Sequence, residues 1–297
     1  MSVTVRAPAK INLHLGVGSL RADGFHQLAT VFHAVSLYDE VTVEPATDFA
    51  IAISGEADGV PADRHNLAAK AVFALAERVG RRPNVSVAIR KAIPVAGGMA
   101  GGSADAAAAL VACDALWETG VGPDVLHDLA ATLGSDVPFC LHGGTALASG
   151  RGERLTPVLA KGVYHWVFAL ADSGLSTPSV FAELDRIRGA SLVLEPQVPS
   201  DLMTALRTGE PRRLAGLLYN DLQAPAMHLR PALRRTFEAG REAHALGIVI
   251  CGSGPTVALL AAGEAEAIAM VAALSGSGAC RAVRRAHGPV AGARVVS

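Results

Sequence analysis

The chemistry legible in this chain centres on one glycine-rich stretch, Pro94-Val95-Ala96-Gly97-Gly98-Met99-Ala100-Gly101-Gly102-Ser103-Ala104, which runs on through Asp105 into an alanine-rich segment ending at Trp117. Just before it, Val85, Val87 and Ile89 alternate with Ser86, Ala88 and Arg90, a pattern that predicts a strand. The alanines after it predict a helix, with Ser103 as the N-cap candidate. A helix N-terminus carries free backbone N–H groups and a partial positive charge, and glycine lets the backbone come close to a ligand. The arrangement is therefore either a phosphate site or a plain tight strand-to-helix connection. It is not a Walker loop, because Ser103 rather than Lys follows Gly102. Ala96 and Ala100 break the spacing of a dinucleotide fingerprint. The His-Arg-Asp and Asp-Phe-Gly signatures of protein kinases do not occur.

Charged and aromatic residues elsewhere could serve such a site. In Ala7-Pro8-Ala9-Lys10-Ile11-Asn12-Leu13, Lys10 and Asn12 are two apart, so on a strand they share a face. Lysine is usually a solvated surface charge, but Lys10 stands among apolar residues beside an asparagine. Asp23-Gly24 is turn chemistry that starts Phe25 and His26 on a new element through Leu37. In Gly134-Ser135-Asp136-Val137-Pro138-Phe139, Asp136 either caps the turn or next helix, or presents a carboxylate. A second glycine loop, Cys251-Gly252-Ser253-Gly254-Pro255-Thr256, lies between two short apolar runs, Ile248–Ile250 and Val257–Leu260.

The elements that must position these residues follow from periodicity. Ser2 to Leu15 reads as a strand broken at Pro8, and Val41–Glu44 and Ile51–Ile53 as short strands. Asn66 opens a helix to Arg78, and Pro123–Leu133 forms another, ended by Gly134. Gly143–Ala148 reads as loop and strand, and Gly150-Arg151-Gly152 as a bend toward a second domain. Tyr164–Leu170 is an unbroken apolar run, as in a buried strand. Helices are expected from Ser176-Thr177-Pro178 through Arg188, from Pro231 to Ala245 and from Glu264 to Leu274, with Val283 and Val295-Val296 at sheet edges. Gly189–Gly209 has no strong period, and no internal repeat is visible.

Bulk properties narrow the class. At 297 residues the chain buries a sizeable core as one large domain or two smaller ones. A net charge of -1 with no basic run argues against nucleic acid as a partner. Ala104–Val111 is too short for a membrane span and Asp105 interrupts it. Met1 to Arg6 lacks the apolar core of a signal peptide. Cys113, Cys140, Cys251 and Cys280 are widely spaced without C-x-x-C and read as free thiols of a reducing cytosol.

Five segments, in order, resemble one family, the small-molecule kinases named for galactose, homoserine, mevalonate and phosphomevalonate (GHMP). Pro94–Ala104 is similar to its phosphate loop, and Gly252–Thr256 to its C-terminal glycine motif. Ala9–Leu13, Asp23–His26 and Gly134–Phe139 resemble the branch that phosphorylates 4-diphosphocytidyl-2-C-methyl-D-erythritol in non-mevalonate isoprenoid synthesis. The resemblance implies a two-domain α+β fold with the active site in the cleft between domains. Residues 1–155 would form a domain like the second domain of ribosomal protein S5, and 156–297 the C-terminal domain.

The resemblance also implies roles. ATP would phosphorylate the 2-hydroxyl, with Asp136 as general base and Lys10 steadying it, acidifying the hydroxyl and balancing phosphoryl charge. Pro94 to Ala104 would bind the ATP phosphates, with Asn66 and Lys91 near the adenosine. Ser103 would be a ligand of Mg²⁺ riding on the phosphates. Asn12, Phe25, His26, Thr177, Phe181, Gly252, Ser253 and Gly254 would hold the cytidyl substrate, with Phe25 and Phe181 closing on the two faces of the base. The partners implied are these two small molecules, for a cytoplasmic monomer or homodimer. The chain departs from the family where Phe25 replaces the usual Tyr, and where Ala96, Ala100 and Ala104 replace residues that are often Gly or Ser. The Asp-Gly-Phe-His segment argues against a homoserine or mevalonate kinase. The presence of both Lys10 and Asp136 argues against a non-catalytic binder on the same fold.

Overall fold

The computed structural model describes residues 2–189 and 191–297. The chain runs β1 (Val3–Leu20), β2 (His26–Pro45), β3 (Ala50–Gly55), α1 (Leu67–Arg78), β4 (Val85–Lys91), α2 (Gly101–Trp117), α3 (Gly122–Leu133), α4 (Val137–His142), β5 (Thr145–Gly150) and β6 (Arg154–Pro157). It continues through β7 (Tyr164–Leu170), α5 (Thr177–Arg188), α6 (Ser200–Thr208), α7 (Pro211–Ala215), β8 (Tyr219–Asn220), α8 (Gln223–Leu229) and α9 (Leu233–Glu242). β9 (Gly247–Ile250), β10 (Val257–Ala261), α10 (Glu264–Gly276), β11 (Ala282–Gly288) and β12 (Arg294–Val295) complete it.

The strands form two sheets, so the class is α+β. In the first, the order is β12-β1-β2-β4-β3, with β5 on β2, β6 on β5 and β8 on β1. The second is β11-β7-β10-β9, antiparallel throughout. The long antiparallel hairpin β1–β2 is the spine of the first sheet. Pro8 does not break it, contrary to the sequence expectation. The register shifts between Pro8 and Ala9, and that bulge absorbs the missing N–H. Likewise Val41–Glu44 is no separate strand but the far end of β2. The bend expected at Gly150-Arg151-Gly152 is present. It turns β5 into β6, which pairs back on it from Ala146↔Pro157 to Ser149↔Arg154. β8 and β12 also return to β1, so the C-terminal half contributes two strands to the first sheet.

The alanines of α2 explain its place. Ala104, Ala106–Ala109, Leu110 and Ala112 are fully buried, and apolar residues surround the whole helix. Short side chains let α1, α3, α4 and the β1–β2 hairpin pack closely around it. The helix that was expected to start at Pro231 starts at Leu233, after a turn closed by Leu233 N–H to Arg230 O. Among the described residues no helix is long and apolar enough to cross a membrane.

Candidate active site

β1 carries Lys10 and Asn12 into a cavity of about 330 Å³. Lys10 is buried to 5% exposure. Its Nζ donates to Asn12 Oδ1 at 3.0 Å, Asn12 Nδ2 donates to Thr30 Oγ1 at 2.8 Å, and the Thr30 hydroxyl donates to His14 O at 2.6 Å. The ammonium lies 4.9 Å from the centroid of the Phe32 ring and 3.6 Å from Asp136 Oδ2. Asp136 occupies the cap position of α4 but makes no capping bond with its side chain, so the capping alternative is not realised. Its carboxylate, 31% exposed, faces the cavity and the lysine.

The glycine stretch forms the opposite wall. The helix begins earlier than Ser103: Ala100, left-handed at φ 61°, is the cap residue, and Ser103 lies inside the first turn. Sequence preference pointed to Ser103 because of its hydroxyl, but here backbone conformation ends the loop. Ala104 gives its N–H to Ala100 O at 2.9 Å, which leaves the N–H groups of Gly101, Gly102 and Ser103 without an intrahelical partner. Free donors at a helix N-terminus are of the kind that suits an anion, and Gly101 and Gly102 line the cavity. Ala104 itself is buried in the core.

The two glycine loops touch backbone to backbone. A Cβ at Gly98 would come within 1.9 Å of Cys251 O, and one at Gly252 within 2.9 Å of Gly98 O. Lys10 N–H donates to Met99 O at 3.1 Å, which ties β1 into the same contact. Asn220, to which the sequence assigns no role, fixes the second loop by donating from Nδ2 to Ile250 O at 2.8 Å and Gly252 O at 2.7 Å. Ser253 Oγ and Thr177 Oγ1 share a hydrogen bond of 2.8 Å across the same wall. Burial pushes the Cys251 thiol up to about 12, so it stays protonated and inert.

A second cavity, about 540 Å³, shares Leu28, Asp136, Thr177 and Phe181 with the first. Phe25, 49% exposed, and His26 line it. His26 stacks on Phe181 with ring centroids 5.1 Å apart, and its Nε2 donates to Asp185 Oδ1 at 2.9 Å. Ser103 and Arg151 complete the wall, and the Arg151 guanidinium lies 4.9 Å over the Phe25 ring.

The other residues singled out in the sequence are placed differently. Pro94, Ala96, Gly97 and Met99 line the first cavity, whereas Val95 faces a neighbouring one behind the loop. Gly254 lies outside both cavities, in the turn that its N–H closes to Cys251 O at 2.7 Å. Asn66 and Lys91 also line neither. Asn66 caps α1, accepting from Ala68 N–H and donating to Pro61 O. Lys91 lies beneath Gly101, buried between Asp39 and, at 2.6 Å, Asp105. Burial alone would lower the Lys91 ammonium, but the two carboxylates outweigh it and raise it. Burial likewise lifts the Asp105 carboxyl, against the pull of Lys91.

With this geometry in view, comparison with known proteins is decisive. Residues 66–144 match the GHMP kinases N terminal domain, and residues 202–280 the GHMP kinases C terminal domain. A 4-diphosphocytidyl-2-C-methyl-D-erythritol kinase of Nocardia farcinica is 57% identical, over 99% of this chain and 96% of its own. That of Mycobacterium tuberculosis is 56% identical, over 100% and 93%. This chain belongs to the 4-diphosphocytidyl-2-C-methyl-D-erythritol kinase family. A crystal structure of 4-(cytidine 5'-diphospho)-2C-methyl-D-erythritol kinase is 35% identical with a TM-score of 0.78, covering 97% of this chain and 98% of the other. Mevalonate kinase of L. major, 16% identical with a TM-score of 0.76 over 96% of each chain, shares the fold. As a GHMP kinase, this family member uses ATP.

Proposed function

We propose that this kinase transfers the γ-phosphoryl group of ATP to the 2-hydroxyl of 4-diphosphocytidyl-2-C-methyl-D-erythritol, giving the 2-phosphate and ADP. The observation that carries the mechanism is the Lys10–Asp136 pair, 3.6 Å apart, in a cavity open both to the α2 N-terminus and to an aromatic pocket. A tertiary alcohol is a weak nucleophile and needs a positioned base. Asp136 takes the hydroxyl proton as the new O–P bond forms and the bond to the ADP oxygen breaks. Lys10 holds the carboxylate in place and offsets charge on the moving phosphoryl group. The free N–H groups of Gly101, Gly102 and Ser103 cradle the nucleotide phosphates, and the rest of catalysis is positioning.

Magnesium fits this donor set only as an ion carried in on the nucleotide. Among the described residues no cluster of three or more His, Cys, Asp or Glu is arranged to hold a metal, whereas the Ser103 side chain lies in the cavity wall beside Asp136. Ser103 would join the phosphate oxygens in holding Mg²⁺, which would neutralise phosphate charge. Phe25, His26 and Phe181 receive the cytosine, with Asn12, Thr177 and Ser253 along the path to Asp136. Four unpaired cysteines suit a reducing cytoplasm.

ADP release measured with the cytidyl substrate, with mevalonate and with no acceptor tests the assignment. Turnover is expected with the first alone. Equal turnover with mevalonate, or none with either, would overturn it.

A further inference from the structure

We propose that Arg151 receives the diphosphate of the substrate. The inference rests on the reading that the substrate is a cytidyl diphosphate ester. Such a molecule has its base at one end and its reacting hydroxyl at the other. The doubly charged linker lies between. A buried diphosphate needs a cation beside it.

Among the described residues lining the two joined cavities, the permanent cations are Lys10 and Arg151. Lys10 is committed to Asp136 and Asn12. Lys91 is sealed beneath the phosphate loop between two carboxylates. The helix N-terminus is assigned above to the ATP phosphates. That leaves Arg151, with which no carboxylate pairs among the described residues.

Its backbone is built to present it. Arg151 stands between Gly150, at φ +75°, and Gly152, at φ +108°, in the β5–β6 turn. Arg151 N–H donates to Glu153 Oε2 at 2.7 Å, and Gly152 N–H to Ser149 O at 3.1 Å. The guanidinium rests on the face of Phe25, where an aromatic ring holds a cation without using its hydrogen-bond donors. It lines the same cavity as Phe25 and Asp136, the residues assigned to the base and to the reacting hydroxyl, between which the linker must pass. A planar fork of N–H donors matches two phosphate oxygens, and such a bidentate bond is stronger than one cation–π contact.

The test uses cytidine and CDP as competitive inhibitors against the cytidyl substrate, with wild type, Arg151→Ala and Arg151→Lys. Arg151→Ala is expected to weaken CDP by about 10- to 100-fold, the range for a charged hydrogen-bonding partner, and cytidine by less than about twofold. KM for the cytidyl substrate should rise with it, while KM for ATP stays put. Arg151→Lys should recover part of the CDP affinity. Equal weakening of cytidine and CDP would mean that Arg151 only shapes Phe25, and unchanged CDP affinity would mean that it meets no phosphate. Either result overturns the inference while leaving the kinase assignment intact. Wild-type enzyme that turns over no cytidyl substrate would overturn both.

Discussion

Removing the charge from Lys10 and from Asp136, separately and together, tests whether the two act as one device. Asp136→Asn keeps the shape and deletes the base, so kcat should fall by about 10²- to 10⁴-fold. Lys10→Met keeps most of the volume and deletes the cation, for a loss of about 10²- to 10³-fold, as for one preorganised electrostatic contact. Independent roles would give a double variant that is slower by the product, roughly 10⁴- to 10⁷-fold. The geometry says otherwise. At 3.6 Å, two unit charges interact by roughly 4–5 kcal/mol at an effective dielectric of 20. Water at the partly exposed carboxylate screens some of that. Each decade of rate is about 1.4 kcal/mol, so a surviving coupling of about 2–3 kcal/mol would cancel some two decades. The double variant should therefore be little slower than the worse single one, as found for groups that act as a unit. Single-turnover rates with saturating substrates are the assay. A double variant slower by the full product would refute the pairing and leave two unconnected residues.

Gly102→Val should weaken ATP binding sharply with the fold intact, since a Cβ there meets only Leu67 Cδ1 at 3.5 Å. Gly101 is a poorer site for this test because its Cβ would crowd Ile93 and Lys91 at 3.2 Å; normal nucleotide titration of Gly102→Val would remove the loop from the site. Phe25→Ala should raise KM for the cytidyl substrate by roughly 5- to 150-fold, the worth of one stacked base. It should leave KM for ATP nearly unchanged, and Phe25→Tyr should be close to neutral. The opposite pattern, ATP weakened and the cytidyl substrate not, would make Phe25 a packing residue. Burial pushes the Asp105 carboxyl up to about 7, so its contribution to stability is present below about pH 4 and is lost as pH rises through 7. Asp105→Asn should accordingly gain on wild type between pH 5 and pH 8 in thermal midpoint, and a relative loss over that interval would contradict it.

What could be read from the sequence was whatever depends on neighbours along the chain. The alternation around Lys10 put it and Asn12 on one face, and the glycine loop followed by alanines gave strand, loop and helix in the right order. The start of that helix was misplaced because propensity favours Ser103, whereas the chain enters through a left-handed Ala100. Arg151 was read only as part of a bend, since nothing local says that its turn returns to β5 and sets it over Phe25. Asp39 and Asp105 stand 66 positions apart, with nothing local to pair them. They meet through Lys91 only when β2, β4 and α2 pack. Asn220 lies 32 residues from the loop it fixes, again a contact made by folding alone.

The backbone-to-backbone seam between Gly98 and Gly252 decides how closely the two glycine loops can stand. Lys10 N–H to Met99 O and Asn220 Nδ2 to Gly252 O hold each loop within its own half, while Arg284 Nη2 donates to Glu56 Oε1 at 2.7 Å across the halves. A side chain at either glycine would push the two loops apart. The spacing of the two walls is set by the lack of a Cβ at Gly98 and Gly252.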